Sequence, residues 1–395
     1  MPRFWELAPN WRSPYTVTHE FRTDIIESRT KREQRNALRA EPRKKLSFTV
    51  TAPKDRYRAL LRALAAGSAQ GESWYVPEVT AGIPTDAVAA AGQATISPAS
   101  TPFWMVAGRA VVLMDGQRHE LAVIDHLSSG NLVMEDNFAE AWPLGTKIAP
   151  ALTGYVATEI TGDGETNNLI EATVNFDIEV GLDVSETPAA ATATFNGREL
   201  FLKKPNWKEG LQDVYRSARE SIDYGQGRLA HFLPAVFPTL IRKAAFLNRD
   251  LVEAEAIRQF FLRMKGQQGE FYMPSGQQDI VPSAQLTNGQ ATMTVAGIEF
   301  ANAYEDDTVH RAVAVRLVDG TTLYRVVDSI DPVAGNSRIT FTENWSSTIA
   351  LADIVMVSWM PAWRLSSDAI TFEWLTDSVC QVAITMQTVE DLAGD

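Results

Sequence analysis

A short sequence occurs twice in this chain. Residues 70–77 read QGESWYVP and residues 268–274 read QGEFYMP, so a Gln-Gly-Glu, two aromatic residues and a proline recur in the same order. Neighbouring segments recur with it: PNW at 9–11 and 205–207, GQATI at 92–96 and GQATM at 289–293, and AVVLMDG at 110–116 and AVRLVDG at 314–320. The separation grows from 196 residues (Trp11 to Trp207) to 204 (Ala110 to Ala314), as insertions in surface loops would make it. This ordered series predicts a tandem duplication, which limits the fold to two similar units.

A helical spacing occurs at the same place in each copy. Four apolar residues stand at i, i+3, i+4 and i+7, which predicts a helix with one buried face. They are Tyr57, Leu60, Leu61 and Leu64 in the first copy and Ile257, Phe260, Phe261 and Met264 in the second. Gly67 and Gly266 follow as helix stop signals.

Short alternating segments follow each predicted helix, and Asp-Gly pairs at 115–116 and 319–320 separate them as hairpin turns do. We therefore expect an α+β, β-rich fold in which each copy carries an inserted small β-barrel or β-sandwich. The expected units are residues 1–184 with the insertion at about 80–160, a linker at 185–197, and residues 198–395 with the insertion at about 278–365.

Composition restricts the classes of function. The net charge of -13 argues against general nucleic-acid binding, because cationic contacts supply most affinity for a phosphate backbone. The single cysteine, Cys380, excludes an internal disulfide and a multi-cysteine metal site, and its apolar neighbours predict a small buried residue. Without an apolar stretch of about 18 residues, we expect no membrane insertion, and the first residues predict no signal peptide.

Motifs of catalysis do not occur. The five histidines have no metal-ligand spacing, and there is no P-loop, Rossmann fingerprint or G-x-S-x-G. The acidic run at 304–310 lacks the pattern of a calcium loop and is interpreted as a solvated loop. We therefore expect no enzyme, no catalytic, cofactor-binding or metal-binding residues and no cofactor. Most of the ten tryptophans are expected in the core, since two of them, Trp74 and Trp345, stand where the other copy has Phe271 and Phe138.

One segment, residues 29–45, is strongly basic within this acidic chain. It is interrupted by Glu33 and Glu41 and has no aromatic residue to stack on bases, so a subunit-facing or solvated edge is favoured over nucleic acid. The candidate subunit-interface residues are Arg29, Lys31, Arg32, Arg35, Arg43, Lys44 and Lys45. The alternative for each is an exposed position with no specific partner.

Several stretches of the first copy resemble tail-tip proteins of long flexible-tailed bacteriophages, in particular distal tail and baseplate proteins. They are FWELAPNWRSPYTVTHEFRTDI from Phe4, ESRTKREQRNALRAEPRKKLSFTV from Glu27, LLRALAAGSAQGESWYVP from Leu60 and WPLGTKIAP from Trp142. The resemblance implies a tail-tube-like domain in each copy and a virion structural protein, made in the cytoplasm of the host bacterium and located at the tail tip.

Such proteins form a ring that joins the tail tube to the central hub and to the receptor-binding or fibre proteins used in host attachment. The implied partners are therefore further copies of this chain, the tail tube protein, the baseplate hub and the fibre proteins, with DNA only in passage through the channel. A trimer is favoured over a hexamer, because three duplicated chains present six similar units to a sixfold tube and three to a threefold hub. We expect an acidic or neutral channel wall, because clustered cations would hold the passing DNA.

Two other classes of function remain open at this stage. A carbohydrate-binding or glycan-degrading protein would account for the tryptophans, the β-rich segments and the acidic residues. An intracellular polyester or nucleotide hydrolase is a further alternative, although no nucleophile and base can be paired in the sequence.

Overall fold

The computed structural model describes residues 3–53, 71–116, 118–157, 160–166, 169–179, 187–208, 211–217, 219–225, 227, 229–233 and 238–391. The fold is β-rich, as expected from the sequence, and strands account for most of its regular structure. The helix predicted around Tyr57, Leu60, Leu61 and Leu64 lies outside the described residues.

The described residues of the first half form fourteen strands and one 3₁₀ turn, Val79–Ala81. The strands are β1 Arg3–Phe4, β2 Tyr15–Glu20, β3 Thr23–Glu27, β4 Glu33–Ala37, β5 Arg43–Pro53, β6 Ser73–Pro77, β7 Ile83–Pro84, β8 Thr95–Ile96, β9 Ala110–Asp115, β10 Arg118–Ser128, β11 Asn131–Met134, β12 Lys147–Val156, β13 Thr161–Thr166 and β14 Leu169–Ile178.

In the second half, the part that the structure describes forms strands, two α-helices and a 3₁₀ turn, Leu351–Asp353. The strands are β15 Thr194–Phe195, β16 Arg198–Leu200, β17 Gln212–Arg216, β18 Glu220–Asp223, β19 Leu229–Phe232, β20 Thr239–Asn248, β21 Phe271–Tyr272, β22 Thr292–Ala296, β23 Ala312–Leu317, β24 Thr322–Val333, β25 Asn336–Phe341, β26 Ile354–Trp359, β27 Ala362–Leu365, β28 Ala369–Trp374 and β29 Cys380–Thr388. The helices are α1 Leu251–Met264 and α2 Glu299–Tyr304.

Eight of these strands form one antiparallel run, with four strands from each half. Their order is β13-β14-β5-β2-β28-β29-β20-β17. β2 and β28 are the neighbours that belong to different halves, and six residue pairs join them, from Tyr15 opposite Trp374 to Glu20 opposite Ala369. Within the described residues, β13 and β17 each pair on one side, so they form the two edges of this run.

A single core lies beside this run and draws side chains from both halves, among them Trp5, Phe48, Phe176, Phe260 and Trp374. Each half also has a smaller core of its own. In the first half it lies among β7 to β12 and contains Trp104 and Trp142. In the second half it lies among β22 to β26 with α2 and contains Trp345 and Trp359.

The predicted second helix is confirmed as α1. The Asp250 carboxylate caps it by accepting the Glu253 amide, and Ile257, Phe260, Phe261 and Met264 are all buried. The predicted stop signal, Gly266, adopts a left-handed φ of 67° and follows the C-terminal cap residue of the helix, Lys265. At 14 residues α1 is the longest described helix, and no helix among the described residues is long and apolar enough to cross a membrane.

The expected burial of most tryptophans and of Cys380 is also confirmed. Eight of the ten tryptophans are buried, whereas Trp11 is half-buried and Trp207 is 58% exposed. Cys380 is fully buried, its sulfur accepts a hydrogen bond from Asn248, and burial raises the pKa of the thiol to about 11. The thiol therefore behaves as a small apolar residue.

Candidate assembly interface

The two halves meet edge to edge at β2 and β28. Hydrogen bonds other than those of the strand pairing also join the two halves there. The hydroxyl groups of Thr18 and Thr371 lie 2.9 Å apart across it. Just past the ladder, the Phe21 amide donates to the Asp368 carbonyl at 2.8 Å. The halves therefore share a continuous sheet.

Asp368 fixes the end of this ladder. Its carboxylate accepts the Thr23 amide at 2.6 Å and the Thr23 hydroxyl at 2.8 Å from the first half, and the Gln267 amide at 2.9 Å from the second. Gly266 makes the close approach possible, because a Cβ there would lie 2.5 Å from an Asp368 carboxylate oxygen and 3.2 Å from the Phe21 Cβ. The left-handed φ and this contact both favour glycine at the position.

An aromatic contact covers the same corner. The ring of Phe21 in the first half lies 5.5 Å from the ring of Phe261 in α1, centroid to centroid, and both residues are buried. On β2 itself, His19 is buried against Phe372 of β28. Burial, followed by the charges of Lys44 and Arg258, holds the pKa of His19 well below its usual value. His19 is therefore a neutral residue of the contact at pH 7.

Hairpin β3–β4 extends the contact with buried ion pairs. The Arg364 guanidinium donates two hydrogen bonds to the Glu33 carboxylate, both at 2.7 Å, and the two side chains are only 7% and 11% exposed. Two residues along the same strand, Arg35 donates to the Glu270 carboxylate and, at 3.1 Å, to the Gln268 carbonyl. A carboxylate and a guanidinium of the first half are thus each paired with an opposite charge of the second.

The network continues into the second half. Glu270 also accepts from Arg198 at 2.6 Å, and Arg198 donates to Asp391. The Tyr272 hydroxyl donates to the other Asp391 oxygen at 2.7 Å. Burial and this hydrogen bond to the carboxylate raise the pKa of Tyr272 to about 12. The tyrosine is therefore a neutral donor, and each charge in the network has an opposite charge beside it.

The seven basic residues predicted as interface candidates fall into three groups. Arg29, Arg32 and Arg35 contact Glu220, Glu390 and Glu270, all in the second half of the same chain. Lys31, Lys44 and Lys45 pair with Glu27, Glu78 and Glu20, all in the first half. Arg43 is exposed at the start of β5. Their role between separate chains stays a prediction.

Sequence reasoning missed the acidic and basic partners in the second half: Arg198, Glu270, Arg364 and Asp391. Glu270 could have been found from the sequence, because it is the glutamate of the repeated Gln-Gly-Glu. Arg364 could not, since it is 331 residues from Glu33 in sequence. Within the basic segment, residues 33–37 form β4 of a hairpin with β3.

The interpretation of the acidic run at 304–310 as a solvated loop was wrong for Asp307. This residue is buried, and its carboxylate accepts the amides of Val309 and His310 and contacts the His310 ring. The carboxylate thus organises a tight turn. In the described part of the chain no three His, Cys, Asp or Glu side chains converge as metal ligands would.

One cleft has the character of a ligand site. It measures about 430 Å³ and is lined by the exposed Trp207 together with Lys203, Lys204, Tyr324 and Met356. An exposed indole beside polar side chains can stack on a sugar ring.

No protein-family model matches this chain, and no curated protein matches it in sequence.

Proposed function

We propose that this chain is a structural component of a phage tail tip or baseplate. It forms a homo-oligomeric ring that joins the tail tube to the central hub and the receptor-binding apparatus and lets DNA pass. The observation that carries the proposal is the order of the eight-stranded run, in which four strands of each half meet edge to edge. The sequence resemblance of the first copy to tail-tip proteins supplies the biological setting.

The proposal includes a tandem duplication of a tail-tube-like unit with an inserted small β domain, with units at 1–184 and 198–395. Corresponding strand pairs support it. β1 is parallel to β6 as β16 is to β21, and hairpin β3–β4 stands between β2 and β5 as β18–β19 stands between β17 and β20. The inserted strands also correspond, since β8-β11-β10-β9-β12 follow the order of β22-β25-β24-β23-β26.

A ring of three chains is proposed over a ring of six. Because both halves of one chain lie in one continuous sheet, they are suited to adjacent places in the same ring. Three such chains supply six related units toward a sixfold tube and a threefold surface toward a hub. In a ring of six, one half of each chain would line the channel and the other would turn outward, so the two halves would not hold equivalent places.

The test is the mass and shape of the purified full chain. Mass photometry and negative-stain electron microscopy are expected to give rings of three chains, and gold-labelled antibody is expected to bind one end of the tail in phage particles. Rings of six chains with one half facing the lumen would refute the trimer. A chain that is monomeric at every concentration, or antibody label along the whole tail, would refute the tail-tip ring.

Carbohydrate binding is the second candidate, and the exposed Trp207 at the 430 Å³ cleft is the observation that favours it. It predicts saturable binding of the isolated chain to a surface polysaccharide on a glycan array, with loss of binding in Trp207→Ala. The half-buried Trp11→Ala is the matched control, since Trp11 contacts Tyr15 of the first half. An array without binding would remove this candidate.

A further inference from the structure

The cleft beside Trp207 corresponds to a place in the first half of the chain. The repeated Pro-Asn-Trp makes the same contact in both halves, since the Asn10 amide donates to the Thr49 carbonyl at 2.9 Å and the Asn206 amide to the Ala245 carbonyl at 2.7 Å. These bonds align β5 with β20. The neighbouring strands β2 and β17 agree with this alignment through the facing pairs Thr16–Ser47 and Gln212–Lys243.

Large side chains fill this place in the first half. Tyr15 and Phe48 are both buried, and their rings stack with centroids 5.1 Å apart. In the alignment, Leu211 stands in place of Tyr15 and Ala244 in place of Phe48, and both line the cleft. The smaller side chains leave open a cleft of about 430 Å³, and Trp207 beside it is 58% exposed.

Positive charge without a partner lies at this cleft. Lys204 and Arg316 are exposed lining residues, and neither forms an ion pair within the described part of the chain. The other two basic side chains of the lining each pair with a carboxylate, Lys203 with Glu253 and Arg242 with Asp213. The lining residues include no aspartate or glutamate. In a chain with a net charge of -13, the cleft is therefore suited to an anion.

Neutral residues stand at both positions in the first half. Ala8 is the equivalent of Lys204, and Met114 is the equivalent of Arg316. The second equivalence follows from matching hydrogen bonds just before β9 and β23, from the Ile124 amide to the Arg109 carbonyl and from the Val327 amide to the Arg311 carbonyl. The two halves thus differ at one place both in the volume that side chains fill and in charge.

We infer, on the basis of the carbohydrate-binding candidate and of the proposed duplication, that this cleft binds an acidic saccharide, a sugar with a carboxylate or phosphate group. The Trp207 indole stacks on the sugar ring, and Lys204 and Arg316 bind the anion. The hydroxyl groups of Thr322 and Tyr324 also line the cleft, make no hydrogen bond within the described residues and are available to the sugar hydroxyl groups. Burial raises the pKa of Tyr324, so its hydroxyl is a neutral donor at pH 7.

The surroundings of the cleft favour a saccharide over a nucleotide, which also combines rings with an anion. Nucleotide phosphates are commonly bound at the N-terminus of a helix that follows a glycine-rich loop. The residues that line this cleft belong to strands and loops, and none lies in α1 or α2. Two separate cations beside an exposed indole instead fit a sugar whose charge projects from the ring.

A glycan array probed with the purified full chain tests the class of ligand. The array carries oligouronates, sugar-substituted glycerol-phosphate teichoic acids and neutral dextrans, so it distinguishes a carboxylate from a phosphate and both from a neutral sugar. We expect saturable binding to an acidic saccharide that is about tenfold or more tighter than binding to dextran, because hydrogen bonds to charged groups are the stronger ones. Titration with AMP measures the competing class.

Exposed substitutions that copy the first half test the two cations. Arg316→Met and Lys204→Ala are each expected to weaken binding of the acidic saccharide about tenfold and to leave dextran binding unchanged. Arg316→Lys keeps the charge and should retain most of the affinity. Lys208→Ala is the control, because Lys208 is an exposed cation next to Trp207 that does not line the cleft, and it should change the affinity less than about twofold.

Leu211→Tyr tests the location, since it restores the ring that Tyr15 supplies in the first half. A variant that unfolds at the same temperature as the unaltered chain is expected to lose binding to every saccharide. Full binding by this folded variant would place the saccharide elsewhere and overturn the inference.

The remaining outcomes separate this inference from the proposed functions. Equal binding of acidic and neutral saccharides, or unchanged affinity in both Arg316→Met and Lys204→Ala, would overturn the acidic ligand and leave carbohydrate binding in place. Binding of AMP that is tighter than that of every acidic saccharide would overturn the assignment to saccharides. An array without any binding would remove the carbohydrate candidate and this inference together, and would leave the ring as it stands.

Discussion

Glu33→Ala tests whether buried charges hold the two halves of the chain together. The Arg364 guanidinium donates to Glu33 through two bonds of 2.7 Å, and little of either side chain reaches solvent. Removing one partner of a buried ion pair leaves an uncompensated charge and costs about 3 to 5 kcal/mol. Arg364 keeps its bonds to Gln267 and to the Leu365 carbonyl, so we expect the lower end, a decrease of about 3 kcal/mol in the free energy of unfolding.

A double-mutant cycle with Arg364→Met separates the interaction energy between Glu33 and Arg364 from the contributions of their other contacts. The double variant removes both charges and should lose only about 1 kcal/mol, because an apolar replacement of a buried pair is often close to neutral. Urea unfolding followed by tryptophan fluorescence gives each free energy. Arg32→Ala, which removes an exposed partner of Glu390, is the control and should cost about 1 kcal/mol or less. A Glu33→Ala loss below about 0.5 kcal/mol, or strictly additive losses in the cycle, would refute the reasoning.

Three further predictions concern buried residues. Phe261→Ala should lower the free energy of unfolding by about 3 to 5 kcal/mol, because the ring is 1% exposed in the core. On the same helix, Val252→Ala, at a site 78% exposed, should change it by less than about 0.5 kcal/mol. Cys380 should resist alkylation at pH 8 until the chain is unfolded, since its raised pKa leaves almost no thiolate; rapid labelling of the folded chain would contradict this. His19, whose pKa is lowered by burial, contributes stability above its unfolded pKa of about 6.5 that is lost as pH falls. The fall between pH 7 and 5 should be up to about 2 kcal/mol larger than in His19→Gln, and parallel pH curves would contradict it.

Local patterns could be predicted from the sequence because they report local physics. The four apolar residues of α1 and the stop signal Gly266 are close together in sequence, and the spacing alone defines the buried face. Burial of the tryptophans followed from their exchange with phenylalanine between copies. Asp307 was missed because a carboxylate that bonds its own turn has the same sequence pattern as a solvated one.

The contact between the halves could not be predicted. Glu33 and Arg364 are both evident as charged residues, but a single sequence does not show which distant charged residues form an ion pair. The pairing of β2 with β28 could not be predicted either, because alternation of apolar and polar residues predicts a strand but not the strand with which it pairs. The repeat did single out one residue of this contact, because Glu270 and Glu72 stand at matching positions of the repeated Gln-Gly-Glu.

The two hairpins differ in the charges that they bury and in the apolar side chains that they expose. Hairpin β3–β4 meets its partner in the same chain, so Glu33 and Arg35 are paired as soon as the chain folds. Hairpin β18–β19 instead leaves Ile222, Leu229 and Phe232 42%, 53% and 43% exposed. A contact between separate chains must offset lost translational and rotational freedom, and apolar burial supplies that without stranding charges in the free chain. Buried charges at the second hairpin would be unpaired before assembly, at a cost of several kcal/mol per ion. The exposed apolar side chains of β18–β19 therefore suit a contact with another copy in the proposed ring, while its Glu220 pairs with Arg29 in the loop of hairpin β3–β4 of the same chain.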